Sequence, residues 1–418
     1  MREHLAVASL LDRAVLGWAR TTFKAAMLPL EERRGSREIE LLSLSSQGFL
    51  RPRSETGDRQ MPSSDGLPRY LVVHPGDLVV NPMWLSGGAI AVSDRFGAVS
   101  PDYRVFRPRP AVHGRFLHHV LRSAEYFDQY RLYTRADTTF DRRVQQPDLD
   151  QLPLALPTLE EQSRIAEFLD DQMSTLAAVL EQRVAQGRLV EEVCSARMAA
   201  LFQGVEVRLK SLLKQYPCYG VLVPEFVVDG VPFIRVGDLR DLQAAQVGDL
   251  RQIPQRLSLE YRRTVVRAGD LLVGVVGSTD KAAVVPEALA GANIARAVAR
   301  LVPREGVPTS VIIGWMETPS YVRQVESVTS GDTAQPTLNM GDLRNFRIPL
   351  PGLPLLDLAA SVDQLRAERA ACRAAMSRTT RLVEEHKRAL ITACVTGEFD
   401  VTTASNRAAD AALQGVTR

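Results

Sequence analysis

The chain has 418 residues and a formal net charge of +2, with 45% apolar and 24% charged residues. That length admits about two to three domains, and the composition is sufficient for ordinary hydrophobic cores. No run approaches the roughly 18 unbroken apolar residues of a spanning helix, Met1 opens no secretory pattern, and the four scattered cysteines suggest neither a metal nor a disulfide framework, so a soluble, cytoplasmic protein is expected.

Lysines are few (Lys24, Lys210, Lys214, Lys281 and Lys387), and nearly all other positive charge is arginine. Arginine suits bidentate contacts with phosphate and guanine edges, although a genome rich in G and C enriches it everywhere. The adjacent His118 and His119 diverge around a helix, so they are read as surface residues rather than a metal pair.

After an amphipathic start, short β-like runs are predicted at residues 39–44, 70–73, 78–80, 89–92 and 103–106, each bounded by Gly, Pro, Asp or Ser. A helical stretch from Phe116 to about Tyr130 follows, then an arginine-bearing loop from Tyr133 to Gln146, and Leu152 to Pro157 closes the domain. From Thr158 to Phe202 there is no proline, and Thr158-Leu159-Glu160-Glu161 supplies a capping-box start. A helix of about 43 residues would be roughly 65 Å long, more than one domain can cover.

This order then repeats. Leu189-Val190-Glu191-Glu192 returns as Leu382-Val383-Glu384-Glu385, Gly204 as Gly397, and Gly76-Asp77 as Gly269-Asp270, all at an offset of 193. Such a unit is far longer than solenoid repeats, so each copy must be a module with its own core. The second copy carries strand-like runs at 231–236 and 271–273, a helical stretch from Val311 to Val325, a loop from Thr329 to Asn339, and a last helix from about Leu355 to Thr396. Gly204 and Gly397 act as helix stops.

Both long helices carry a weak seam in steps of three and four. It runs through Leu169, Gln172, Leu176, Val179, Arg183, Gln186, Val190, Val193, Arg197 and Ala200 in the first, and through Val362, Leu365, Arg369, Cys372, Met376, Thr379, Val383, His386, Leu390 and Ala393 in the second. The shared register predicts that the helices pack on each other, and the connectivity makes the pair antiparallel. The expected fold is α+β: two mixed α/β domains separated by two long antiparallel spacer helices in a coiled-coil pair, with approximate two-fold symmetry.

Catalytic signatures are missing. Asn81-Pro82-Met83-Trp84 is close to the Asn-Pro-Pro-aromatic tetrapeptide of DNA amino-methyltransferases, but methionine replaces the second proline and no Gly-rich cofactor turn precedes it, so it is read as a strand end and a turn. Residues 274–281 imitate a phosphate-binding loop, but Lys281 lacks the preceding glycine and the following hydroxyl residue. That segment is either a plain hairpin turn or a donor-bearing turn facing DNA.

The segment Leu154-Ala155-Leu156-Pro157-Thr158-Leu159-Glu160-Glu161-Gln162-Ser163-Arg164-Ile165-Ala166-Glu167-Phe168-Leu169-Asp170 resembles the junction of a target-recognition domain with a spacer helix in specificity (S) subunits of type I restriction-modification systems. Ala393-Cys394-Val395-Thr396-Gly397-Glu398-Phe399 resembles the family's second-helix ending. Pro75 to Asn81 with Gly97 to Tyr103 is similar to one recognition-domain subtype, and Arg267 to Leu272 with Lys281 to Pro286 to another. Asp280 stands where similar domains usually carry a glycine, and the second helix begins without the Leu-Glu-Glu-Gln of the first.

The resemblance implies target-recognition domain 1 over residues 1–157, a first spacer helix over 158–204, target-recognition domain 2 over 205–353 and a second spacer helix over 354–400; the small polar tail over 401–418 is expected from its composition to be disordered. It implies a non-catalytic subunit that reads a bipartite double-stranded DNA target, one half per domain, while the helices set the gap and dock two methyltransferase (modification) subunits. S-adenosylmethionine would bind in those partners, and ATP and Mg in a motor-nuclease (restriction) subunit; this chain would hold no cofactor, metal or catalytic residue. The candidate DNA-binding residues are Arg135, Arg142 and Arg143 in the first domain, with Ser278, Thr279, Lys281, Thr333 and Gln335 in the second. The rival readings are a stand-alone DNA methyltransferase or nuclease, and a coiled-coil scaffold that reads no DNA.

Overall fold

The computed structural model describes residues 17–56, 63, 65–134, 143–221, 223–329 and 337–401. In chain order the first copy comprises β1 (Ala19–Thr22), α1 (Phe23–Ala26), β2 (Met27–Leu30), β3 (Leu42–Leu44), β4 (Leu50–Pro52), β5 (Leu71–Val73), β6 (Leu78–Val80), β7 (Ile90–Val92), β8 (Gly97–Val99), β9 (Arg104–Pro108), α2 (Gly114–Leu121), α3 (Ala124–Tyr133), α4 (Gln146–Asp150), β10 (Pro153–Leu156) and the long α5 (Leu159–Leu201). The second comprises β11 (Val205–Arg208), α6 (Leu209–Leu212), β12 (Cys218–Tyr219), β13 (Val231–Ile234), β14 (Arg251–Ile253), α7 (Gln255–Glu260), β15 (Leu271–Gly274), β16 (Ala282–Val284), β17 (Asn293–Ile294), β18 (Val298–Leu301), α8 (Thr309–Met316), α9 (Pro319–Thr329), α10 (Met340–Asn345), β19 (Arg347–Leu350) and the long α11 (Leu355–Thr396). Residues 1–183 with 377–418 form one compact unit, and residues 184–376 form a second.

In the first unit, β1 pairs antiparallel with β10, so the strand that leads into α5 is tied to the strand that opens the domain. The central sheet has the order β2-β9-β6-β7. Every residue of β6 is buried, as expected of a strand covered on both faces. Aromatic and aliphatic residues of α1 to α3, including Phe23, Phe116, Tyr126 and Tyr130, close the core over it. Ile165, Ala166 and Leu169 of α5 and Ile391, Cys394 and Val395 of α11 join that same core.

The second unit repeats the plan. β11 pairs antiparallel with β19, and the sheet order is β12-β18-β15-β16. The repeated Gly-Asp dipeptide is explained by its geometry. Gly76 (φ 91°) and Gly269 (φ 83°) take the left-handed position of a turn, a conformation with little steric cost only for glycine. The following aspartate folds back to accept an amide three residues earlier: His74 N donates to Asp77 Oδ2 at 3.0 Å, and Arg267 N to Asp270 Oδ2 at 2.7 Å. Each carboxylate then holds an arginine of the neighbouring strand, Arg107 Nε at 2.8 Å from Asp77 and Arg300 Nε at 2.6 Å from Asp270.

Several strands escaped the sequence reading, among them β1, β2, β4 and β8, because runs of three or four residues carry too little alternation to register. Each predicted helical stretch is also two helices. Ser123 is extended (ψ 160°) between α2 and α3, and Pro319 begins α9 after Thr318, since proline cannot continue a helix from α8. The surface reading of His118 and His119 is corrected: both are buried on α2, where they face the sheet and α5 instead of solvent.

The long helices run beside each other within each unit. In the second, Arg197 pairs with Glu368 at 2.8 Å, Glu191 bridges Arg369 and Arg373, and Gly187 leaves room for the Met376 side chain, an antiparallel progression. In the first, Phe168 of α5 stacks on Phe399 just beyond α11, with ring centroids 5.5 Å apart. The predicted seam holds at Leu169, Gln172 and Leu176, then slips by one residue: Val193 is 49% exposed while Cys194 and Met198 are buried. An α-helix drifts about 20° per heptad against a 3.5-residue repeat, so about four heptads approach the 100° between adjacent residues. α11 shows the same drift, with Val362, Leu365 and Val383 buried in the predicted register but Ile391 and Cys394 displacing Leu390 and Ala393 at its end.

The repeated stop glycines serve two purposes. Gly397 (φ 77°) caps α11, with Phe399 N bonding back to Ala393 O at 3.0 Å. At Gly204 a Cβ would collide with the Leu350 carbonyl of β19, so the absent side chain lets the paired strands form directly after α5.

Candidate nucleic-acid interface

In the first unit β6 runs into a rigid turn. Asn81 Oδ1 accepts the Met83 amide at 3.1 Å, Asn81 N donates to Ala89 O at 2.9 Å, and both Gly87 N and Ala89 N donate to Trp84 O. Leu85 is fully buried and anchors the turn, whereas Met83 and Trp84 are 38% and 56% exposed at its tip. The chain that follows α3 returns to this turn, with Val144 N donating to Pro82 O at 3.0 Å. Arg143, half-buried, thereby stands 3.9 Å from Asp102. Arg53, Asn81, Trp84, Asp102, Tyr103 and Arg143 share the walls of a cavity of about 250 Å³.

Within Asn81 to Trp84, the carboxamide oxygen of Asn81 accepts the Met83 amide and the Pro82 carbonyl accepts the Val144 amide. The segment is a strand end and a turn, as its sequence suggested.

The second unit has the corresponding meeting of segments at Val275, 193 residues after Pro82. Leu338 N donates to Val275 O at 2.8 Å, and Val276 bridges Thr337. The turn joins β15 to β16 as a hairpin, with Gly274 N donating to Lys281 O at 2.8 Å and Ser278 N to Val276 O at 2.9 Å. Gly277 (φ 75°) supplies the left-handed conformation, and Asp280 has no positive φ, so the aspartate fits this turn without backbone strain. Tyr321 of α9 steadies the hairpin through a hydrogen bond from its hydroxyl to Thr279 O at 2.9 Å; burial pushes that phenol well above its ordinary range and keeps it a neutral donor.

Of the candidate residues, Arg143 lies with the Asn81–Trp84 turn, and Ser278, Thr279 and Lys281 lie together, half-buried, on the hairpin. Arg135, Arg142, Thr333 and Gln335 lie outside the described residues. Among the described residues no group of three His, Cys, Asp or Glu side chains could hold a metal ion, and no helix is long and apolar enough to cross a membrane.

Three positioning residues were not singled out from the sequence. Gln162, fully buried on α5, accepts His113 N at 2.8 Å and donates to Ala111 O at 3.0 Å and Pro157 O at 2.9 Å, locking the first domain to its helix. Two turns further on, Asp170 receives Arg115 and His119. Burial opposes its charge, yet the hydrogen bonds from His119 and Arg115 hold its carboxyl well below the usual range, while burial lowers the His119 value, so a neutral imidazole donates to a carboxylate. Arg122 donates to Gly88 O, to Ile90 O at 3.3 Å and to Ser46 O at 3.3 Å, tying the Trp84 turn to the β3–β4 hairpin. The signal for Gln162 and Asp170 was a polar residue on the buried stripe of an amphipathic helix; Arg122 left none, because its carbonyl partners are remote in sequence.

The chain matches no protein-family model. It is 29% identical over 344 residues to the specificity subunit of the Escherichia coli type I restriction enzyme EcoBI, an alignment covering 73% of this chain and 69% of that one. A chain from a structural study of assembly and conformational transition in the type I R-M system superposes with a TM-score of 0.71 at 21% identity, covering 92% of this chain and 99% of that one. The HsdS subunit of Thermoanaerobacter tengcongensis follows with a TM-score of 0.51 at 22% identity, covering 92% and 98%. In sequence the chain is similar to a type I restriction enzyme specificity subunit, and in fold it is similar to chains of type I R-M systems.

Proposed function

We propose that this chain is the sequence-specific DNA-recognition subunit of a type I restriction-modification complex in the cytoplasm. The observation that carries this reading is the recurrence of one recognition edge in both units, a turn after the central strand met by the chain returning from a helix pair, through Val144 to Pro82 and Leu338 to Val275. The two edges differ in chemistry: Asn81, Trp84 and Arg143 in one, Ser278, Thr279 and Lys281 in the other. Each would read a different half of a bipartite target, by side-chain contacts to bases and phosphates.

The chain itself is non-catalytic in this reading. Its helices dock two methyltransferase subunits that bind S-adenosylmethionine, and a motor-nuclease subunit using ATP and Mg joins for cleavage. Continuous helices make the separation of the half-sites a property of helix length, as dimer geometry sets operator spacing.

Methylation mapping in cells carrying the complete system tests this. One heptad removed from both α5 and α11 shortens the spacer by about 10 Å, and should shorten the unread gap by about three base pairs while leaving both half-sites unchanged. An unchanged gap would refute the spacer role. Methyl transfer from labelled S-adenosylmethionine by the purified chain alone would refute the non-catalytic role.

A further inference from the structure

Trp84 has no folding task that explains its place. The adjacent Leu85 anchors the turn in the core, the backbone hydrogen bonds fix its path, and Gly88 (φ 94°) turns the chain into β7. Yet the tip carries a large indole, 56% exposed, beside the exposed Met83 thioether. The other two tryptophans contrast with it: Trp315 is fully buried, and Trp18 packs edge-on against Phe116 at 6.2 Å. At the equivalent position, 193 residues on, the second domain has Gly277, so the aromatic belongs to the first recognition edge alone.

The surroundings favour a nucleic acid over an apolar protein partner. Two guanidinium groups, Arg53 and Arg143, and one carboxylate, Asp102, line the same cavity, leaving it net cationic beside an apolar plate. An apolar side chain beside guanidinium groups is the pairing used where a base step of a duplex is wedged open and the flanking phosphates are neutralised. Arg122, through its bonds to Gly88, Ile90 and Ser46, holds the turn in place from behind.

We infer that Trp84 wedges its indole into a base step of the half-site read by the first domain, partly unstacking it, with Arg143 on an adjoining phosphate. This rests on the DNA-recognition role proposed above and names the contact that role uses in one domain. The test uses the full chain assembled with its methyltransferase subunits, and a fluorescent duplex bearing the target found by methylation mapping. Trp84→Ala should weaken binding about 10- to 100-fold, with Trp84→Phe between it and wild type, and without change in the slope of log affinity against log salt. Arg143→Ala should instead flatten that slope by about one charge. Duplex addition should quench the tryptophan emission of the wild-type assembly, and Trp84→Phe should remove that quenching.

Unchanged binding by Trp84→Ala, in an assembly whose wild type discriminates its target, would overturn the Trp84 contact alone. Loss of methyltransferase subunits from Trp84→Ala would overturn it too, because the indole would then be a protein-docking residue. A wild-type assembly with no sequence preference would overturn the DNA-reading role and this inference together.

Discussion

The duplicated Asp–Arg pair allows the same mutation to be made in two settings within one molecule. Asp77 and Asp270 are both nearly buried, but their arginines differ: the Arg107 side chain is 49% exposed and that of Arg300 only 10%. Asp77→Ala removes the acceptor for His74 N and frees Arg107 to turn into water, so its cost is that of a lost turn hydrogen bond and a weak pair, about 1–3 kcal/mol. Asp270→Ala removes the same amide acceptor but leaves the Arg300 guanidinium buried beside β15, with Arg263 O its remaining partner at 3.2 Å, and should cost about 3–5 kcal/mol. Hydrogen–deuterium exchange of the amides in β6 and β15 reads the two openings separately. Adding Arg300→Met to Asp270→Ala should recover part of the loss, since the orphaned charge is its main source. Equal costs in the two copies, or no recovery in the double variant, would show that burial of the arginine does not control the energy.

Two further outcomes follow from the polar contacts of the helices. Arg373, then Arg369, hold the Glu191 carboxyl down at about 2 against an ordinary 4.5, a difference worth at most about 3.4 kcal/mol and, for a side chain one-third exposed, about 1–2 kcal/mol after screening. A depressed folded value stabilises above the unfolded one, so wild type should exceed Glu191→Gln by that amount above pH 4.5 and lose the advantage as pH falls from 4.5 towards 2, measured by exchange in the 187–197 and 365–376 segments; a deficit that persists at pH 3 would contradict the ionic origin. Gln162→Ala should cost about 1–3 kcal/mol, because it removes the partner of the half-buried His113 amide and of the buried Pro157 carbonyl, with increased exchange around residues 111–117 as the check.

How legible the candidate site was depends on the distance between its parts. Ser278, Thr279 and Lys281 sit in one hairpin, and glycine and short polar side chains between two apolar runs mark such a turn locally. The pairing of Arg143 with the Asn81–Trp84 turn joins segments about 60 residues apart, and no periodicity encodes that contact. In the sequence Trp84 is marked only by its place in a tetrapeptide close to a methyltransferase motif. Its exposure, the feature that now matters, depends on Leu85 rather than Trp84 being the residue drawn into the core.

By itself the sequence determined that the protein is built twice, that each copy is an α+β domain followed by a long helix, and that those helices carry matching seams. These properties rest on local periodicity, caps and an offset of 193, all of which are written along the chain. Only the tertiary structure decided which face of each helix is buried beyond Leu176, that His118 and His119 are interior, that Gly204 is needed by β19 rather than by the helix end, and which side chains meet at each candidate edge. The physical reason is common to all four: a helix drifts against any integer repeat, and burial is set by neighbours distant in sequence.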